Sequence, residues 1–216
     1  MNWYAPLLLG CLTCAIAVAS PTPTAPFRYA PRVPAGFDAA KPTPPEGPWQ
    51  IGKTGSYMPA PGHIGLYATP SFSVKVVVSR RVLTPAQPQP RELQAWGLAV
   101  LDQPSWAFFG MEPWDSIRKV EAHEVVVTDA PAGRAARGAR RFMTNRGAID
   151  VYQLAAERDG SLFEVSVLVT GVRPVAAVRA WLAAFLDEPF GLAASPGLVF
   201  DAAPALTPEP RVRNNE

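Results

Sequence analysis

Residues 148–170 read AIDVYQLAAERDGSLFEVSVLVT, and this stretch decides the fold. In its second half Phe163, Val165, Val167 and Val169 alternate with Glu164, Ser166 and Thr170, the period of two that buries one face of a strand. Ala148 to Glu157 forms a companion strand. Between them Arg158-Asp159-Gly160 supplies the residues that tolerate a tight reversal, so the pair is expected to be an antiparallel hairpin.

Upstream, the pattern repeats. Asn145-Arg146-Gly147 is a second turn signal, preceded by a strand over Ala136 to Thr144, and Lys119 to Thr128 carries Val125-Val126-Val127. Ser105 to Met111, rich in aromatics, is expected to add a strand. Phe72, Val74, Val76, Val78 and Val82 alternate with Ser73, Lys75, Ser79 and Arg81 as an earlier strand. Two helices complete the set. Leu93, Trp96, Gly97, Val100 and Leu101 recur at helical spacing, and a helix opening at Pro174 places Val175, Val178, Trp181, Leu182, Phe185 and Leu186 on one face. The alanines around that stripe suit a helix covered on more than one side. Consecutive antiparallel strands with few helices define an α+β sandwich, an antiparallel sheet flanked by two main helices.

The ends of the chain differ in texture. Residues 1–19 read as a signal peptide: no charged side chain, an apolar run through Leu7, Leu8, Leu9, Leu12, Ile16 and Val18, and small residues at Ala17 and Ala19 before a cleavage point. The run is shorter than a membrane-crossing helix requires and is followed by Pro21, Pro23 and Pro26. Both cysteines, Cys11 and Cys14, lie inside it. Leu8-Leu9-Gly10-Cys11 resembles a lipobox, which makes Cys11 an alternative lipid attachment point; cleavage after Ala19 instead leaves a mature chain without thiols. Residues 20–61 hold eleven of the 25 prolines and read as an extended leader, with Phe27, Tyr29, Phe37, Trp49, Ile51, Tyr57 and Met58 available to lie on the domain or on a partner. The domain is expected over 62–190. Residues 191–216 are expected to be a tail, ordered in part near Leu198-Val199-Phe200.

The order of an early strand, a helix, a strand meander containing Ala148-Ile149-Asp150-Val151-Tyr152, an Asp-Gly turn, the strand Leu162 to Val167 and a last helix resembles the PsbP/Mog1-like superfamily over about residues 62–190. The resemblance implies a sheet flanked by helices, and accessory, scaffolding or chaperone-like binding in place of catalysis. It carries no site residue over to this chain.

The chemistry-bearing residues point the same way. The sequence has no G-x-S-x-G elbow and no phosphate-cradling glycine loop, and His63 and His123 are far apart. In Ala122-His123-Glu124 the two polar side chains of a strand point to opposite faces, unlike a helical metal-binding pair. No cofactor or metal site is expected. Asp115, Glu121, Glu124, Asp129, Asp150, Glu157, Asp159 and Glu164 suit solvated strand faces and turns, although an acid pair among them, or a serine-based site, is the alternative that would make the protein an exported hydrolase.

One local charge anomaly stands out. Arg134, Arg137, Arg140, Arg141 and Arg146 fall within thirteen residues that contain no acid. Arginine forks pair with carboxylates, so this hairpin is the candidate contact for an acidic surface on another envelope or secreted protein; its other reading is a solvated strand pair that resists aggregation. With a net charge of only +2 and no interleaved aromatics, nucleic acid is not the expected partner, and a membrane would be met only through a retained or lipidated N-terminus. The sequence therefore favours an exported, non-catalytic accessory or binding protein.

Overall fold

The computed structural model describes residues 25–40, 49–51, 55–57, 62–71, 73–85, 89–101, 117–130, 133–144, 147–194 and 196–201. Its centre is the quoted hairpin. Strands β8 (Gly147–Arg158) and β9 (Ser161–Thr170) pair in unbroken register from Ile149 opposite Thr170 to Arg158 opposite Ser161. Asp159 and Gly160 close them with φ of 46° and 68°, both left-handed, as a two-residue hairpin turn of the right twist requires. Strands β6 (Ile117–Ala130) and β7 (Gly133–Thr144) extend the meander, and β6 accommodates irregular register between Lys119 and Glu121 and between His123 and Val126.

On the other side β5 (Val74–Val82) pairs with β9, β4 (His63–Ala68) with β5, and β1 (Asp38–Ala40) with β4. Seven antiparallel strands thus run in the order β1-β4-β5-β9-β8-β7-β6. Strands β2 (Trp49–Ile51) and β3 (Gly55–Tyr57) form a separate two-stranded pair. The fold class is α+β, as the alternation predicts.

The pleat gives the sheet two dissimilar faces. Helix α1 (Leu93–Leu101) lies on one, burying Trp96, Val100 and Leu101 against Ala136, Ala155 and Leu162. Gly97 permits the close approach: a Cβ there would stand 2.6 Å from a Val127 methyl. The opposite face carries the larger core, with Val74, Val76, Val78, Tyr152, Leu154, Phe163, Val165 and Val167 beneath helix α2 (Val175–Leu182). This helix widens into a π turn at Ala183–Asp187 and ends in a 3-10 turn at Glu188–Phe190, where Gly191 adopts φ 66°. Ala184, Phe185, Leu186 and Asp187 are buried in succession, which a helix with a single core face cannot achieve. A second cover is therefore present.

That cover comes from the chain ends, and it corrects the expected domain limits of 62–190. Phe27, Tyr29 and Phe37 pack on the α2-side core; Phe27 stacks on Phe190, Phe37 meets Trp181 and Phe185, and the Tyr29 hydroxyl donates to the Phe185 carbonyl at 2.9 Å. The Phe27 amide donates to the Asp159 carboxylate. Burial pushes the Tyr29 phenol far up, and Tyr67 nearby adds to the shift. At the other end Leu198, Val199 and Phe200 are fully part of the same core, next to a 3-10 turn at Pro196–Leu198. Prolines remove helix as an option for the leader but leave it able to lie extended along a sheet and to donate a three-residue edge strand. The expected signal peptide at 1–19, the expected strand at 105–111 and the side chains of Trp49, Ile51, Tyr57 and Met58 lie outside the described residues. Among the described residues no helix is long and apolar enough to cross a membrane.

Gly133, which opens β7, has φ 125°, and a Cβ there would collide with the Glu157 carbonyl oxygen. Gly133→Ala is expected to cost on the order of 2–3 kcal/mol in chemical denaturation, since strain and a backbone collision coincide.

Candidate functional site

Strand alternation divides the arginines that the sequence clusters. Arg137 and Arg141 share the parity of Ala135 and Ala139 and face α2; Arg134 and Arg140 face the α1 side. Arg134 forks onto Glu157 (Nε to Oε2 3.0 Å, Nη2 to Oε1 2.6 Å), donates Nη1 to the Pro90 carbonyl at 2.9 Å, and lies over the Trp96 ring. It ties the approach to α1 to the sheet. Arg140 is half-buried on that same face, and Arg146 lies outside the described residues.

Arg141 stands directly opposite Asp150 and pairs with it through two bonds, Nε to Oδ1 at 2.6 Å and Nη2 to Oδ2 at 2.8 Å. Hydrogen bonding to Asp150 raises its already high pKa against the effect of burial. Its Nη2 also donates to the Asp201 carbonyl at 2.9 Å, and its guanidinium covers the Phe200 ring. Arg137 donates Nη1 to Asp187 Oδ1 at 2.5 Å and to the Ala193 carbonyl at 2.7 Å.

With exposures of 4% and 7%, Arg137 and Arg141 form no exposed contact edge. This corrects the expectation that the hairpin arginines offer one basic patch to a partner. The hairpin sequence lacks acids, yet strand pairing and the return of α2 bring Asp150, Glu157 and Asp187 to its arginines. Arg158, read as a turn residue, is a further buried arginine; its Nη2 donates to the Phe190 carbonyl at 3.1 Å, and its ordinary pKa is lowered by burial.

Arg137 and Asp187 stand in the wall of a cleft between the end of α2 and the C-terminal segment. The cleft has a volume of about 80 Å³ and is lined by Leu182, Leu186, Ala194, Leu198 and Val199 together with Arg137, Asp187 and Arg179. Burial raises the Asp187 pKa and the adjacent Arg137 charge opposes the rise. Those two charges neutralise each other. Arg179 is exposed and makes no ion pair among the described residues. The result is an apolar slot with a single uncompensated cation in its lining. Sequence reading missed Arg179 and Asp187 because both sit on a helix whose second cover is the supposed tail.

The remaining candidates have structural employment. His123 contacts Glu121 (Nε2 to Oε1 3.3 Å) and lies 4.1 Å from the Phe200 ring centre, so it forms part of the seat of the C-terminal segment. The Tyr152 phenol, pushed far up chiefly by burial, joins the same seat through the Phe200 backbone. His63 is half-buried and its pKa is lowered by burial. No group of three or more potential metal ligands occurs among the described residues. Asp115 and the Glu124 side chain lie outside them. Asp129 stands exposed near the β6–β7 turn.

Glu164 is half-buried on the α1 side of β9, 3.5 Å from the Ser79 hydroxyl, and burial raises its pKa while Arg81 and Ser79 pull it down. A carboxyl whose folded pKa is raised stabilises the fold while protonated, below its unfolded value near ~4.3, and that contribution disappears as pH rises through the folded value. Glu164→Gln is expected to abolish this part of the pH dependence and to make the protein more stable than wild type at pH 7, as thermal melts from pH 4 to 8 would show.

Comparison with known proteins finds no matching family model and no matching curated protein. Among solved structures, the chain is similar to the solution structure of cyanobacterial PsbP (CyanoP) from Synechocystis sp. PCC 6803, with a TM-score of 0.39 and 9% sequence identity over 63% of this chain and 71% of that one. This similarity assigns no role to any residue here.

Proposed function

We propose that this chain is an exported, non-catalytic accessory protein that holds another envelope or secreted protein through the cleft between α2 and the C-terminal segment. The observation that supports this reading is the cleft itself: apolar walls from Leu182, Leu186, Leu198 and Val199, a neutralised ion pair, and one exposed arginine. Recessed apolar surface beside a few placed polar groups is the usual form of a binding site. Two buried arginines strengthen the reading by holding the cleft walls: Arg137 fixes Ala193 and Asp187, and Arg141 fixes Asp201. The export half of the proposal rests on the apolar, charge-free residues 1–19.

The test uses the full chain expressed with its own N-terminus. Intact mass of the purified protein distinguishes cleavage after Ala19, acylation at Cys11 and retention; a retained, unmodified N-terminus on cytoplasmic protein would refute export. For the partner, in-cell crosslinking followed by recovery is compared between wild type and Ala194→Phe, which fills the cleft from an exposed position. A crosslinked species that disappears in the variant supports the cleft as the contact; undiminished recovery overturns it.

A further inference from the structure

We infer that the cleft recognises the carboxy-terminal residue of a partner chain, with a branched aliphatic side chain in the slot and the terminal carboxylate on Arg179. This deepens the binding reading above and rests on it. Size comes first. A volume of about 80 Å³ is roughly half that of a ~150 Å³ cavity able to take a benzene ring, so the slot suits a small branched aliphatic group. Its walls at Leu182, Leu186, Leu198 and Val199 offer carbon to that group on both sides.

Charge sets the rest. Of the three ionised side chains in the lining, Arg137 and Asp187 cancel at 2.5 Å, which leaves Arg179 as the surplus charge. Glu188, the neighbour of Asp187, is exposed and is not part of the lining. One aliphatic group beside one anion is the pattern of a chain terminus, where side chain and carboxylate leave the same Cα atom. An internal leucine lacks the anion, and an internal aspartate or glutamate lacks the aliphatic group. Capture of a terminal carboxylate is an established mode of peptide recognition, and a guanidinium fork suits it geometrically.

Acetyl-Gly-Gly-Leu with a free carboxylate, its C-terminal amide and 4-methylpentanoate are titrated separately into the folded full chain while backbone amide resonances are followed. The expected result is saturable shifts at Leu182, Leu186, Leu198 and Val199 with the peptide acid, and binding of the amide weaker by about tenfold or more. Arg179→Gln, at an exposed position that leaves the fold intact, should erase the difference between acid and amide, and Ala194→Phe should abolish the shifts. Three results overturn the inference: no saturable shift with the peptide acid, equal binding of acid and amide, or 4-methylpentanoate binding as tightly as the peptide, which would make a free acid the ligand. If the crosslinked partner is lost in Ala194→Phe while the peptide acid gives no shifts, the terminal-residue inference falls and the cleft as a protein contact stands.

Discussion

Arg137→Leu is expected to destabilise the protein by about 3–5 kcal/mol, because it leaves the largely buried Asp187 carboxylate without its partner. Arg137 is buried beneath α2, and the side chains of the pair are only 5% and 9% exposed. Its Nη1 also holds the Ala193 carbonyl, so the same change releases the start of the C-terminal segment. Asp187 already has a raised pKa, and removing the guanidinium takes away the contribution that opposes the rise. The variant should therefore lose stability as pH rises through the further-raised folded pKa of Asp187 and recover part of it at acid pH. Replacing both members, Arg137→Leu with Asp187→Leu, should restore most of the loss, since an apolar pair of similar volume needs no partner. Guanidinium denaturation at pH 5 and pH 8 checks both claims; a single variant as stable as wild type at pH 8 would show the pair to be dispensable.

Phe185→Ala should have a comparable effect, about 3–5 kcal/mol, through the loss of a buried aromatic and the void it leaves. Phe185 is completely buried, with Phe37 and Tyr67 at ring-centre distances of 5.2 Å each. Two contacts reach it from the leader: the Phe37 ring, and the Tyr29 hydroxyl bonded to its carbonyl. The backbone contact survives the substitution and the ring contact does not. Limited proteolysis should accordingly cut Phe185→Ala between residues 28 and 38 sooner than wild type, whereas Phe185→Leu, which keeps most of the volume, should resemble wild type. Equal cleavage of Phe185→Ala and wild type would show that the leader is held by other contacts.

The sheet was legible in the sequence because its side chains answer to a local rule. Period-two alternation in Phe163 to Val169 and the Asp159-Gly160 turn are properties of a few adjacent residues, and they carry the hairpin directly into the structure. The cleft answers to no local rule. Asp187 reaches Arg137 across 50 positions of chain and Phe200 reaches Arg141 across a similar span, so only the closed fold brings them together. Parity alone could have divided the arginines of this strand, since Arg137 and Arg141 are odd-numbered while Arg134 and Arg140 are even, and a strand cannot show both sets on one side. In the leader and tail, proline and small-residue content excludes helix and central strand, while the aromatics of the leader and Leu198-Val199-Phe200 mark where the chain is expected to settle on a surface. That content does not govern whether Phe27, Tyr29, Phe37 or Phe200 finds an apolar surface to cover.

The seat of Phe200 also sets an order of events in time. Leu198, Val199 and Phe200 complete the core from one end of the described residues, and Phe27 to Phe37 complete it from the other. A nascent chain that has emerged only to β9 can pair its strands while the broad side of the sheet remains wet. Its final closure waits for Leu198, Val199 and Phe200, which are made after every strand of the sheet. Under the export proposed above, such lateness would be an asset: the protein would stay unlocked for the length of the passage and fasten itself on the far side.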